Sequence, residues 1–281
     1  MKTYPPVPRI EDAPGELLES GHLWLTEKID GAQLRVRLRE SGLLEFGDAD
    51  RVYDDPDSIP LSYRHAVRDV RERLDRDALR AAVDDVESVV LFGEATRYET
   101  IEYDWDRIPP FLGFGVWDGG SGRFLPPDAA ARTFERLGLD PVNAVERELN
   151  TRDFDPDSYA VPESAWYDGP AEGVVVRNKK GGRAKLLRSG FEELDGPAPL
   201  EASARELAER YATDRRFEAT AAELRKRGEA VSFETLRKRV LESIVREEHG
   251  RLFHPDCSID LVAFRSALDE STGTFLGRTT D

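Results

Sequence analysis

Cysteine is almost absent from this sequence. Cys257 is the only one, so no internal disulfide can form, and a reducing compartment is the natural setting. Long apolar runs are missing too. No stretch reaches the length of a membrane span, and Met1-Lys2-Thr3-Tyr4-Pro5-Pro6 carries no apolar signal segment. The expectation is a cytoplasmic protein with no membrane partner. The four histidines follow no zinc-ligand spacing, and His249 and His254 near Cys257 read as structural rather than as a metal site. The most informative scarcity is lysine. Of 40 Lys and Arg residues, only Lys2, Lys28, Lys179, Lys180, Lys185, Lys226 and Lys238 are lysine. A lysine kept in an arginine-writing chain points to chemistry that needs an amine able to lose its proton, which a guanidinium cannot easily do.

Acid is plentiful. With 56 Asp and Glu the formal net charge is -16, spread through turns such as Asp48 to Asp50, Asp54-Asp55 and Asp153 to Asp157. Together with the arginine preference this resembles the surface of a salt-adapted cytoplasmic protein. High salt screens an acidic surface, so a local basic groove can still engage a polyanion, and net charge does not exclude nucleic acid. At 281 residues the chain suffices for one large domain or two ordinary ones.

Thr26-Glu27-Lys28-Ile29-Asp30-Gly31 sets one of the rare lysines between two acids and beside a glycine. Leu23 to Leu25 before it and Leu34 to Leu38 after it alternate like strands, which predicts a hairpin with Lys28 at the bend and Gly31 allowing close approach of a ligand. A third short strand is expected at Leu43 to Phe46. Residues up to about 20 are proline-rich and irregular, wrapping the first domain. Tyr63 to Val83 has the spacing of one or two amphipathic helices. Ser88 to Glu94 reads as a buried strand ending in an acid, and Phe111 to Asp118 alternates glycine with bulk, suited to holding a flat ligand. A turn at Gly119 to Gly122 and a helix over Asp128 to Leu137 follow. After a loop from about Asn150 to Asp168, Glu172-Gly173 opens a strand to Arg177, and a turn at Lys179 to Gly182 reverses into Arg183 to Arg188. That hairpin has an acid at its entry and cations on its return, suited to a metal and a phosphate respectively.

Beyond a linker at Gly196 to Pro199 the pattern is helical: Leu200 to Tyr211, Phe217 to Lys226, Phe233 to Glu248 and Ile259 to Leu268. Ser232 and Ser258 are the expected N-caps, with stops at Gly228 and Gly250. Arg215, Arg216, Arg225 to Arg227 and Arg237 to Arg239 make this the more basic part of the chain. Such a run serves either as a solvated helix face or as a phosphate contact.

Lys28-Ile29-Asp30-Gly31, Phe92-Gly93-Glu94, Phe114 to Asp118, Glu172 to Val175 and Ala184 to Arg188 resemble, in order and spacing, five motifs of the covalent nucleotidyltransferase superfamily. The match covers roughly residues 20 to 190. The Thr26-Glu27 lead-in and the helical tail are most similar to ATP-dependent RNA ligases of the phage RNA ligase 2 class. The resemblance implies an α+β fold. Residues 1–196 would be an ATP-grasp-like nucleotidyltransferase domain of antiparallel sheets with flanking helices, and residues 200–281 a small all-α domain. It implies ATP as AMP donor, Mg²⁺ or Mn²⁺ as cofactor, and RNA with 5′-phosphate and 3′-hydroxyl ends, including nicked duplex, as partner. Lys28 would carry AMP, with Asp30 and Gly31 at the nucleotide and Glu27 beside adenine. Phe114 would stack on the base, Glu94 would bind the ribose, and Arg51 would contact the sugar or the RNA 5′-phosphate. Glu172 would act at the metal and Lys185 on the α-phosphate, while Gln33 would help read the terminal sugar. The sequence departs from the family at Leu187, where a second lysine is usual, and either Arg188 or Arg183 replaces it. Other classes left open are a non-catalytic RNA-end-binding protein, a DNA ligase and a GTP-using capping enzyme.

Overall fold

The computed structural model describes residues 1–191, 196–198, 200–256 and 259–279. Among these residues, ten strands form two mixed-order sheets. In chain order they are β1 (His22–Lys28), β2 (Gly31–Leu38), β3 (Leu44–Gly47), β4 (Val89–Thr96), β5 (Phe111–Asp118), β6 (Arg123–Phe124), β7 (Asp140–Pro141), β8 (Ala144–Asn150), β9 (Gly173–Asn178) and β10 (Arg183–Leu187). One sheet runs β10-β9-β1-β8. The other runs β3-β2-β4-β5-β6, with β7 beside β5.

β1 and β2 do not form the expected hairpin. β1 pairs with β8 and β9, whereas β2 pairs with β3 and β4. The bend after Lys28 therefore carries the chain from one sheet to the other, and its residues explain why. Asp30 accepts a hydrogen bond from the Ile101 backbone N–H at 2.7 Å, and the Asp30 N–H donates to the Tyr103 hydroxyl at 2.8 Å. Ile29 is buried beside Ile101, Tyr103 and Leu112. A Cβ at Gly31 would lie 2.7 Å from the Ala95 carbonyl oxygen, so the glycine serves a close approach of β2 to β4 rather than to a ligand.

Strand alternation divides each sheet into two faces. In the first sheet Leu23, Leu25, Val174, Val176, Ala184 and Leu186 are buried in one apolar cluster, which Leu17 and Phe154 extend. The alternate residues Thr26, Lys28, Val175, Arg177 and Lys185 face a cavity against the second sheet. The other face of the second sheet packs on α2 (Arg64–Arg73), α3 (Arg76–Ala82) and α4 (Pro127–Arg136), with Leu34, Val36, Val67, Val70, Phe111 and Phe134 in its core. The N-terminal segment holds a single 3-10 turn at Ile10–Asp12 and a short helix, α1 (Glu16–Glu19). It adds to the edge of β10, where the Lys185 N–H donates to the Pro8 carbonyl at 2.8 Å.

Contact density separates a second unit, residues 195–281 together with 97–100, from the rest. Its helices are α5 (Ala204–Tyr211), α6 (Asp214–Lys226), α7 (Phe233–Glu247), α8 (His249–Leu252) and α9 (Leu261–Thr279). Ser232 caps α7 by accepting from the Thr235 N–H, and Gly228 takes a φ of +73° past the end of α6. Ser258 and Cys257 lie outside the described residues. Gly250 does not stop α7, which ends at Glu247; it sits inside α8, where a Cβ would lie 2.8 Å from the Glu99 carbonyl. Within the basic run Arg216, Arg227, Arg237 and Arg239 are ion-paired to Glu247, Glu223, Asp269 and Glu229. Among the described residues, no helix is long and apolar enough to cross a membrane.

Gly31→Ala should lower stability by about 1–3 kcal/mol, the cost of forcing extra volume into a packed interior. Urea unfolding measures this, and an unchanged midpoint would contradict the close β2–β4 approach.

Candidate active site

A cavity of about 170 Å³ between the two sheets collects side chains that lie far apart in the chain. Glu27, Lys28, Arg177 and Lys185 come from the first sheet and Gln33, Glu94 and Phe114 from the second, while Tyr4 and Val7 reach in from the N-terminal segment. Register builds it: Lys28 lies opposite Gly173, and Gly173 opposite Leu187. At Gly173 a Cβ would stand 2.2 Å from the Leu186 carbonyl oxygen. The glycine lets three strands pack closely where Glu172 enters the site.

Lys28 Nζ lies 2.5 Å from Glu172 Oε1, with 26% and 6% of the two side chains exposed. The structure thus sets a carboxylate directly against the lysine. Burial pushes the Glu172 carboxyl above its ordinary range, and the charges of Lys28 and Lys185 only partly oppose this. The other carboxylate oxygen, Oε2, is buried with no hydrogen-bond partner. Among the described residues there is no cluster of three or more acids, histidines or cysteines for a metal ion. Oε2 is thus an oxygen suited to a hard cation that takes its remaining ligands from phosphate and water, the habit of Mg²⁺.

Glu27 is 2% exposed and fully engaged. Ser164 Oγ donates to its Oε1 at 2.5 Å, and the Ala165 N–H and Asn143 Nδ2 donate to Oε2 at 3.1 and 3.3 Å. Three donors satisfy a buried charge and fix its position at the wall of the cavity. Gln33 stands directly across from Glu94 in the β2–β4 ladder. Phe114 is half-buried, and its ring lies 4.9 Å from Tyr4 at an angle of 79°.

The remaining residues that the sequence singled out lie elsewhere. Asp30 and Gly31 hold the inter-sheet bend. Arg51 is exposed, 3.6 Å from Asp48, with its guanidinium over Tyr53, and does not line the cavity. Arg183 stacks over Tyr4 and Phe124, at 4.7 and 5.0 Å. Arg188 stacks over Phe191 and lines a second cavity of about 540 Å³ that also touches Lys185. The cation found instead beside Lys185 is Arg177, buried on β9, which donates to the Phe114 carbonyl and to Thr26 Oγ1. Strand parity points to it, since Arg177 shares a face with Val175. Tyr4, Asn143 and Ser164 have no comparable signal in the sequence.

The raised Glu172 carboxyl fixes the sign of a pH effect. Folded protein binds this proton more tightly than unfolded chain, so the group's contribution to stability is complete below the ordinary carboxylate value and is lost as pH rises through the folded value. The stability of the wild type relative to Glu172→Gln should therefore fall as pH rises above the ordinary carboxylate value of about 4, read by urea unfolding as a function of pH. A difference that grows with pH would contradict the assignment.

The sequence profile of the family described as RNA ligase matches residues 21–187. An archaeal ATP-dependent RNA ligase shares the fold with a TM-score of 0.51 at 16% identity, over 99% of this chain and 65% of that one. Naegleria gruberi RNA ligase, as mutants with ATP and Mn, gives TM-scores of 0.50 and 0.52 at 16% and 14% identity, over 68% and 69% of this chain. This chain spans 58% of either Naegleria chain, so it covers less than two thirds of the solved relatives' length. No curated protein sequence matches. The family match takes in more than half of the residues and every strand of the site, and the chain belongs to the RNA ligase family.

Proposed function

We propose that the protein is an ATP-dependent RNA ligase that joins 5′-phosphate and 3′-hydroxyl ends through a lysyl-AMP and an RNA-adenylate. The observation that carries this reading is the Lys28–Glu172 pair at the wall of a cavity that also holds Lys185 and the Phe114 ring. The solved relatives bound to ATP and Mn support the choice of nucleotide and divalent cation.

In the first step Lys28 Nζ forms a bond to the α-phosphorus of ATP as the bond to pyrophosphate breaks, and the amine proton is lost. An oxygen of the RNA 5′-phosphate then displaces Lys28 from AMP. Last, the 3′-hydroxyl attacks the activated phosphate and releases AMP. Lys28 must be neutral to attack, and in the resting site its Nζ lies against the Glu172 carboxylate. A divalent cation on Glu172 Oε2 would supply positive charge at the α-phosphate and draw the carboxylate away from the amine. Lys185 and Arg177 neutralise charge on the transferring phosphate, so Arg177 fills the role that the apolar Leu187 leaves open. Phe114 stacks on the base and Glu94 engages the ribose. Arg188, in the neighbouring cavity with Lys185, acts on the RNA end in the later steps.

Labelled ATP and Mg²⁺ should label the wild type covalently, while Lys28→Ala and Lys28→Arg should stay unlabelled. Removing the Lys185 cation should slow labelling by about 100-fold, the scale of losing one transition-state donor. Label that persists in Lys28→Ala would overturn the proposal. RNA binding without adenylate formation in the wild type would select a non-catalytic end-binding protein, and preference for GTP a capping-type enzyme. Arg188→Ala should leave lysyl-AMP formation within about twofold and slow sealing of nicked RNA by about tenfold or more. Equal loss in both steps would remove Arg188 from the RNA end.

A further inference from the structure

The N-terminal segment is tied to the sheets at several points. Arg35, 1% exposed, donates to the Lys2 carbonyl at 3.2 Å and to the carbonyls of Asp48 and Arg51 at 2.5 and 3.0 Å. Lys2 Nζ lies 4.1 Å from the centre of the Trp117 ring. At the other end the Lys185 N–H holds the Pro8 carbonyl, and Arg9 bridges to Lys185. Between these anchors the chain has no regular structure, yet it delivers Tyr4 and Val7 to the nucleotide cavity.

Tyr4 occupies a socket made for a ring. Its centroid lies 5.2 Å from Phe92, 4.9 Å from Phe114 and 5.1 Å from Phe124, and the Arg183 guanidinium covers it at 4.7 Å. Gly115 makes the space: a Cβ there would stand 2.8 Å from the Tyr4 ring. The near-perpendicular packing against Phe114 is a favoured aromatic geometry. Of the phenylalanines in this cluster, Phe114 is the one that lines the cavity, together with Lys28 and Glu94. Its side chain stands on a strand flanked by Gly113 and Gly115, which provide no neighbouring bulk. Tyr4 supplies the wall against which the ring is held.

We propose that Tyr4 is a positioning residue of the nucleotide site: residues 2–9 are a strap whose ring fixes Phe114 in the orientation that stacks on adenine. The inference rests on the ligase reading of this cavity. Loss of the Tyr4 ring raises the cost of ordering Phe114 on binding, so it weakens nucleotide binding without removing any group that acts on the α-phosphate. Arg183 belongs to the same device, as a cover for Tyr4 rather than a ligand for phosphate.

The test combines equilibrium titration of ATP by calorimetry with the ATP dependence of self-adenylylation. Tyr4→Ala should weaken ATP binding and raise KM by about three- to tenfold, with the maximal labelling rate within about twofold of wild type. Tyr4→Phe should restore wild-type values. Gly115→Ala, which displaces the ring while leaving Tyr4 in the chain, should reproduce the Tyr4→Ala defect, and serves in its place should Tyr4→Ala fail to fold. In a Phe114→Ala background Tyr4→Ala should add less than about twofold, because its effect passes through Phe114. An unchanged KM in Tyr4→Ala and Gly115→Ala, full additivity with Phe114→Ala, or a fall in maximal rate at unchanged KM would each overturn the proposal. If the wild type binds ATP but forms no adenylate, the ligase reading fails while the binding titration still decides the role of Tyr4. If it binds no ATP, both fall.

Discussion

The ion pair between Lys28 and Glu172 is the constraint on which the site depends. Lys28 ends β1 and Glu172 directly precedes its neighbour β9, and Glu172 is nearly enclosed. Each charge compensates the other for part of what it loses on leaving water, and removal of Lys28 would leave Glu172 as a nearly enclosed carboxylate without its partner. The glycines next to the pair have the same logic. Gly173 lets β9 and β10 close up beside Glu172, and Gly31 lets the chain turn from one sheet into the other directly after Lys28. A lysine so placed is restrained and poised, since anything that draws the carboxylate away releases an amine already in position.

Electrostatics inside and outside the cavity run in opposite directions. The chain as a whole carries -16, whereas the cavity wall gathers Lys28, Arg177 and Lys185. Of the two acids at that wall, Glu27 and Glu94, Glu27 is spent on three hydrogen bonds from Ser164, Ala165 and Asn143, and the adjoining Glu172 is paired with Lys28. Acidic surface at long range is screened by salt, but contacts within the cavity are screened far less. A polyanionic substrate is compatible with an acidic protein on these terms. The helical unit tells the same story locally, because four arginines of its basic run are held by nearby acids.

Much of the fold was legible because alternation and helical spacing are local. β5 runs over the same residues as expected, Phe111–Asp118, and the helices of the second unit depart from expectation mainly at their ends. What the sequence could not convey is pairing. Two strands separated by a short bend read as a hairpin, and only Tyr103, Ile101 and the β4 backbone, distant in sequence, turn that bend into a crossing between sheets. β8 escaped notice since it is largely exposed and departs from regular backbone at Glu148, which has a φ of +55°. Lys28, Glu94, Phe114 and Lys185 stood out by residue type and placement, whereas Gln33 was named only through the family resemblance. Tyr4, Asn143 and Ser164 could not, because they sit in segments without periodicity and reach the site only through tertiary contacts.

The central claim is chemical: one amine, that of Lys28, accepts AMP because Glu172 holds it at the cavity wall. Tandem mass spectrometry of the protein after incubation with ATP and Mg²⁺ locates the adduct directly. The account predicts an added AMP on Lys28, in an acid-labile linkage, and none on Lys185. AMP found on Lys185 or on any other residue, with Lys28 unmodified, would contradict it.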